Sequence, residues 1–82
     1  MPSSIFTQRH QELIGFLAST RKAAGVTQVE LADRVGKPQS FVSKVERGER
    51  RLDVIEFCQL AEALGRDPAE LLGEFLITSA TN

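Results

Sequence analysis

Thr27-Gln28-Val29-Glu30-Leu31-Ala32-Asp33-Arg34-Val35-Gly36-Lys37-Pro38-Gln39-Ser40-Phe41-Val42-Ser43-Lys44-Val45-Glu46-Arg47 is the stretch that decides the fold. Thr27 with Glu30 three residues later reads as a capping box: the threonine oxygen takes an amide inside the helix, and the glutamate reaches back to the threonine N–H. Leu31, Ala32 and Val35 then recur at helical spacing, so one face turns inward. Gly36 can take the positive φ that closes a helix, and Pro38 suits the first turn of the next. Val42 and Val45 are the inward anchors of that second segment. Two short helices joined by so tight a turn must cross steeply, and Ala32 is the small residue that a close approach demands. The spacing predicts helices over about 27–35 and 38–47.

The same grammar extends outward. Asp53-Val54-Ile55-Glu56 and Asp67-Pro68-Ala69-Glu70 repeat the start signal, and glycines at 25, 48 and 65 repeat the stop. Further helices are expected at about 5–24, 53–64 and 68–77, and no strand-like alternation competes. The predicted fold is therefore all-α, five helices in a single compact domain over 1–82, with 1–4 and 78–82 flexible. Phe6, Leu13, Ile14 and Leu17 should face inward from the first helix. Val54, Phe57, Cys58, Ala61 and Leu64 should do so from the fourth, with Ile55 and Leu60 flanking. The last helix carries Leu71, Leu72, Phe75, Leu76 and Ile77, more apolar surface than a short terminal helix needs for its own docking. Phe75, Leu76 and Ile77 are expected both to finish the core and to make a two-fold dimer contact.

Composition excludes several classes. Of 82 residues, 41% are hydrophobic and 26% charged, an ordinary globular balance. A chain this short buries only about 60% of its unfolded surface, leaving little core for a deep catalytic pocket. Cys58 is the single cysteine, so neither a disulfide framework nor a zinc site is expected, and it reads as an inert core thiol. His10 is a lone histidine and reads as a surface residue. No serine or threonine has a histidine–acid partner at triad spacing, and no apolar run reaches the roughly 18 residues of a membrane span. The expectation is a cytoplasmic protein that is not an enzyme, with no cofactor and no metal.

The formal net charge of −1 hides an uneven distribution. Residues 34–51 hold six bases against two acids, whereas 52–82 hold one base against six acids. Local field decides what a surface attracts. With Val42 and Val45 inward, Gln39, Ser40, Phe41, Ser43, Lys44 and Arg47 should point outward. Glutamine can read adenine in a DNA major groove, lysine can read guanine, and phenylalanine can meet a thymine methyl. Gln39, Ser40, Phe41 and Lys44 are the expected base contacts on double-stranded DNA, although Phe41 could instead pack on the body or on a second subunit. Thr27, Gln28, Ser43, Arg47, Arg50 and Arg51 are the expected contacts to the DNA backbone.

The T-Q-x-E-L-A block at 27–32 and the S-K-V-E-R-G block at 43–48 together resemble the lambda-repressor-like (Xre/Cro type) helix-turn-helix family, over about residues 13–72. The resemblance implies a five-helix bundle, operator binding as a homodimer, transcriptional regulation and no catalysis. It also implies that Arg21 pairs with Glu46 as a partly buried brace between the first and third helices. The chain departs from the family in lacking a second arginine near Ala18, and Ser40 is short for a base-reading position. Two-fold pairing would place the recognition helices about 34 Å apart, on a palindromic operator. The function expected is that of a sequence-specific repressor. The alternative is a protein-interaction module, such as an antitoxin or coactivator component, that meets an unknown partner through its acidic C-terminal half.

Overall fold

Five α-helices follow one another in the computed structural model, which describes residues 7–80: α1 (Gln8–Ala23), α2 (Gln28–Arg34), α3 (Gln39–Glu46), α4 (Val54–Ala63) and α5 (Pro68–Ala80). Each start has a local cause. Thr7 Oγ1 accepts the His10 amide at 3.2 Å ahead of α1. At α2 the Glu30 amide donates to Thr27 Oγ1 at 3.1 Å, while the Thr27 amide donates to Glu30 Oε1 at 2.9 Å. Asp53 and Glu56 make the same reciprocal pair at α4, at 2.7 and 3.0 Å. Caps of this kind stabilise a helix by about 1 kcal/mol each. At α5, Asp67 Oδ1 accepts the Ala69 amide at 3.0 Å.

The α2–α3 turn is closed by Gly36 at φ 70°. Its amide donates to Asp33 O and the Lys37 amide to Ala32 O, at 3.2 and 2.9 Å, which satisfies the last carbonyls of α2. The chain then passes through Pro38 into α3. Ala32 is buried at the crossing.

The core has two joined parts. Val26, Leu31, Ala32, Phe41, Val42, Val45, Leu60 and Leu64 form one, packing α2, α3 and α4 together. Leu17, Phe57, Ala61 and Leu71 form the other, tying α1 and α5 to α4. Leu52, on the α3–α4 connection, touches both. The result pins α3 by its inner face and leaves its opposite face open.

Several expectations need correction. The last helix continues to Ala80, so residues 78–80 extend it; residues 1–4 and 81–82, and Phe6 with them, lie outside the described residues. The inward stripe of α4 is Phe57, Leu60 and Ala61, leading to Leu64 just past its end. Leu60 is thus buried, whereas Val54, at the first helical position ahead of that stripe, is 76% exposed. Ile55 is also exposed, and Cys58 is only partly buried. His10 is not a surface residue. It lies four residues before Ile14 and seven before Leu17, on the buried stripe of α1 that ends at Arg21.

Candidate nucleic-acid interface

Elements α2 and α3 bring most of the sequence-selected polar residues together. On α3, Gln39, Ser40, Lys44 and the following Arg47 are exposed, and Ser43 is partly so. The first turn of α3 has neither a side-chain cap on its amides nor an acidic residue. A helix start in that condition presents N–H groups and the positive end of the dipole to any anion.

Below this face runs a hydrogen-bond relay. Arg21 Nε and Nη2 meet the two oxygens of Glu46 at 2.7 and 3.0 Å, and Arg21 Nη1 donates to Val26 O at 2.8 Å. Both side chains are about nine-tenths buried, at 9% and 12% exposure. Gln28 Nε2 donates to Glu46 Oε1 at 2.8 Å, and Gln39 Nε2 lies 3.4 Å from Gln28 Oε1. Burial alone would raise the Glu46 pKa, but hydrogen bonds from Arg21 and Gln28 and the charge of Arg21 hold it below the usual carboxylate value. The carboxylate thus stays ionised and fixes the first residue of α2, which meets the first residue of α3.

Phe41 is the main correction at the site. It does not stand on the outward face: it is 8% exposed and belongs to the core cluster of α2, α3 and α4. The reason is angular. Phe41 lies beside Val42 and four residues before Val45, so the buried arc of α3 is wider than the two valines alone imply. The ring is thus packed against the body, the other placement open to it, and is not presented on the outer face of α3.

The bases after α3 are less free than their sequence suggests. Arg47 pairs with Glu49 at 2.9 Å on the surface. Arg50 makes two hydrogen bonds to Glu56, at 2.9 and 2.8 Å, donates to Arg51 O at 2.8 Å, and lies 4.7 Å from the centre of the Phe41 ring. Those contacts with Arg50, followed by the Asp53 amide, draw the Glu56 pKa down to about 2. Arg51 is exposed. Thr27 is exposed with its hydroxyl and amide engaged in the α2 cap. Sequence reasoning missed the Arg50–Glu56 pair and the Gln28–Glu46 bond, since neither follows the spacing of pairs along one helix.

At the other end of the molecule, Phe75 is buried, its ring 5.6 Å from that of Phe16. It finishes the core and offers no surface to a second subunit. Leu76 and Ile77 are exposed, Ile77 at 70%. Among the described residues no helix is long and apolar enough to cross a membrane, and no group of three or more His, Cys, Asp or Glu is placed to hold a metal.

Residues 17–71 match the helix-turn-helix family. An uncharacterized HTH-type transcriptional regulator, y4dJ, from Sinorhizobium fredii is 40% identical over 63 residues, which cover 76% of this chain and 82% of the relative. Among solved structures, an XRE-family like protein from Pseudomonas syringae pv. tomato is 53% identical, with a TM-score of 0.81 and 85% of each chain covered. The restriction-modification controller protein C.AhdI from Aeromonas hydrophila is 35% identical, with a TM-score of 0.69, over 76% of this chain and 94% of that one.

Proposed function

The chain belongs to the Xre-type helix-turn-helix family of transcriptional regulators, and from that premise we propose that it is a homodimeric repressor that reads a palindromic operator with α3. The observation that carries this reading is the split character of α3. Phe41, Val42 and Val45 hold the helix to the body, while Gln39 and Ser40 stand in solvent at its open, uncapped start and Lys44 stands in solvent on its last turn.

Gln39 reads adenine and Lys44 reads guanine. Ser40, with its short side chain, reaches a phosphate or a water. Gln28, Thr27, Ser43, Arg47 and Arg51 meet the DNA backbone. Leu76 and Ile77 on α5 supply apolar surface for the two-fold contact, and occupancy of the operator by the dimer excludes other proteins from it. Such a protein works in the cytoplasm, where its DNA is. The acidic half offers an interaction module as the competing reading, which the same experiment separates.

Selection of bound duplexes from a random pool, followed by sizing of the complex, tests the proposal. An inverted repeat bound by two chains is expected. Affinity should fall with salt at a log–log slope of about −0.9 per phosphate neutralised, and Lys44→Ala should weaken it. No enriched sequence, or a flat salt response, would overturn the assignment.

A further inference from the structure

Arg50, Phe41 and Glu56 join the start of α3 to the start of α4. The Arg50 guanidinium lies 4.7 Å from the centre of the Phe41 ring, and Lys37 Nζ lies 5.3 Å from the same centre. Both distances are within the range in which a cation is held by an aromatic face. Arg50 is also gripped from the side by both oxygens of Glu56, at 2.8 and 2.9 Å. Glu56 in turn is fixed by the Asp53 amide at 3.0 Å, in the α4 cap. One planar cation therefore touches the third residue of α3 and the third residue of α4.

The donors of Arg50 are largely committed. Nη1 serves Arg51 O and Glu56 Oε1, and Nη2 serves Glu56 Oε2. A phosphate approaching Arg50 would meet the Glu56 carboxylate beside it. The neighbour it does act upon is Phe41, two residues after Gln39 and one after Ser40. A shift of that ring moves the first turn of α3, and with it the two side chains nearest the helix start.

We infer that Arg50 is a positioning residue for base reading: locked by Glu56 onto the Phe41 ring, it sets where the first turn of α3 presents Gln39 and Ser40. This inference rests on the reading of α3 as the recognition helix. It assigns to Arg50 a role that differs from the phosphate contact expected of a basic residue just after that helix. The guanidinium plane matters as well as the charge, because only a planar fork can face a ring and grip a carboxylate at once.

The experiment compares Arg50→Lys, Arg50→Ala and Glu56→Gln with the unaltered protein in two measurements. The first is affinity for the selected operator and for duplexes altered at single positions, over a range of salt. Positioning predicts that all three variants lose discrimination at the position read from the first turn of α3, about three- to tenfold, with the salt slope unchanged. Anchoring predicts that Arg50→Ala lowers the slope by about 0.9 per subunit, that Arg50→Lys keeps discrimination, and that Glu56→Gln tightens binding to every sequence by freeing the cation. That second pattern overturns the inference.

The second measurement is amide exchange at residues 41–43, past the two unbonded amides that open α3, in the protein without DNA. Exchange there should quicken by about threefold or more in Arg50→Lys, with that of α5 unaltered. Unchanged exchange at 41–43 overturns the inference whatever the DNA result. Quickened exchange, combined with DNA binding indifferent to Gln39→Ala and Lys44→Ala, would sustain the brace and sink the recognition-helix reading instead. Arg50→Lys keeps the charge, so a fold lost in Arg50→Ala still leaves both measurements decisive.

Discussion

Gln28 Nε2 donates to Glu46 Oε1 at 2.8 Å, so the first residue of α2 is held by the last residue of α3. Glu46 can do this because Arg21 occupies both of its oxygens from below, at 2.7 and 3.0 Å. Three helices meet in one carboxylate. The relay gives a mostly buried ion pair a task beyond cohesion: it orients Gln28, whose Oε1 lies 3.4 Å from Gln39 Nε2.

Glu46→Ala should therefore cost about 3 kcal/mol, since it leaves the Arg21 guanidinium buried without its counter-charge. For a domain of this size that lowers Tm by roughly 12 °C or more, read by calorimetry. Glu46→Gln keeps the shape and should cost less. Because the folded-state pKa of Glu46 is depressed, its contribution is present above the usual carboxylate range and lost as pH falls through the folded value. An unchanged Tm in Glu46→Ala would refute the brace.

Phe41 separates packing from recognition. The buried ring predicts that Phe41→Ala costs about 3 kcal/mol in the absence of any DNA, and Phe41→Leu about 1 kcal/mol. Urea midpoints measure both. Were the ring touching a thymine methyl, Phe41→Ala would leave stability alone and erase preference for thymine at one operator position.

His10 predicts a pH dependence. Its ring sits in the buried stripe of α1 with Nε2 lacking a hydrogen-bond partner among the described residues, and burial first, then the charge of Arg51, lowers its pKa below the usual 6.5. Above that pH the ring is neutral in both folded and unfolded chains, and stability does not vary with its titration. As pH falls from about 6.5 through the lower folded value, the unfolded chain takes up the proton first and stability declines. Urea midpoints at pH 7.5 and 5.5 should differ in the unaltered protein and differ less in His10→Leu. Equal differences would show that the decline comes from other groups.

What the sequence made legible follows from how local the cause is. Caps at Thr27 and Asp53 act within three residues, so helix starts could be read directly. Val42 and Val45 could be placed because a three-residue spacing on a short helix allows one inward direction. Phe41 could not: its angular position borders the inward arc, and only its packing with residues of α2 and α4 in the core settles its side. Val54 went astray for a related reason, since periodicity continues to a helix end whether or not another element covers that end. His10 was obscured by its chemistry, a polar ring on a stripe shared with Ile14 and Leu17. The α3–Arg50–Glu56 contacts depend on how the connection at 47–53 folds back, and no repeat or spacing encodes that path.

The proposed two-fold contact concerns α5. Phe75 turns into the core against Phe16, whereas Leu76 and Ile77 remain exposed, and Ile77 has the greater exposure of the two. A charge placed at Ile77 does not enter the core, so Ile77→Glu should leave the monomer folded, with thermal stability changed by less than about 0.5 kcal/mol once dissociated. In a dimer that uses this face, the same charge would be forced against apolar surface on the partner chain. Sedimentation should then show a shift from dimer to monomer at equal concentration, with operator affinity falling at least tenfold, because each chain would bind one half-site alone. A dimer that persists in Ile77→Glu with full operator affinity would move the two-fold contact to another surface of the molecule.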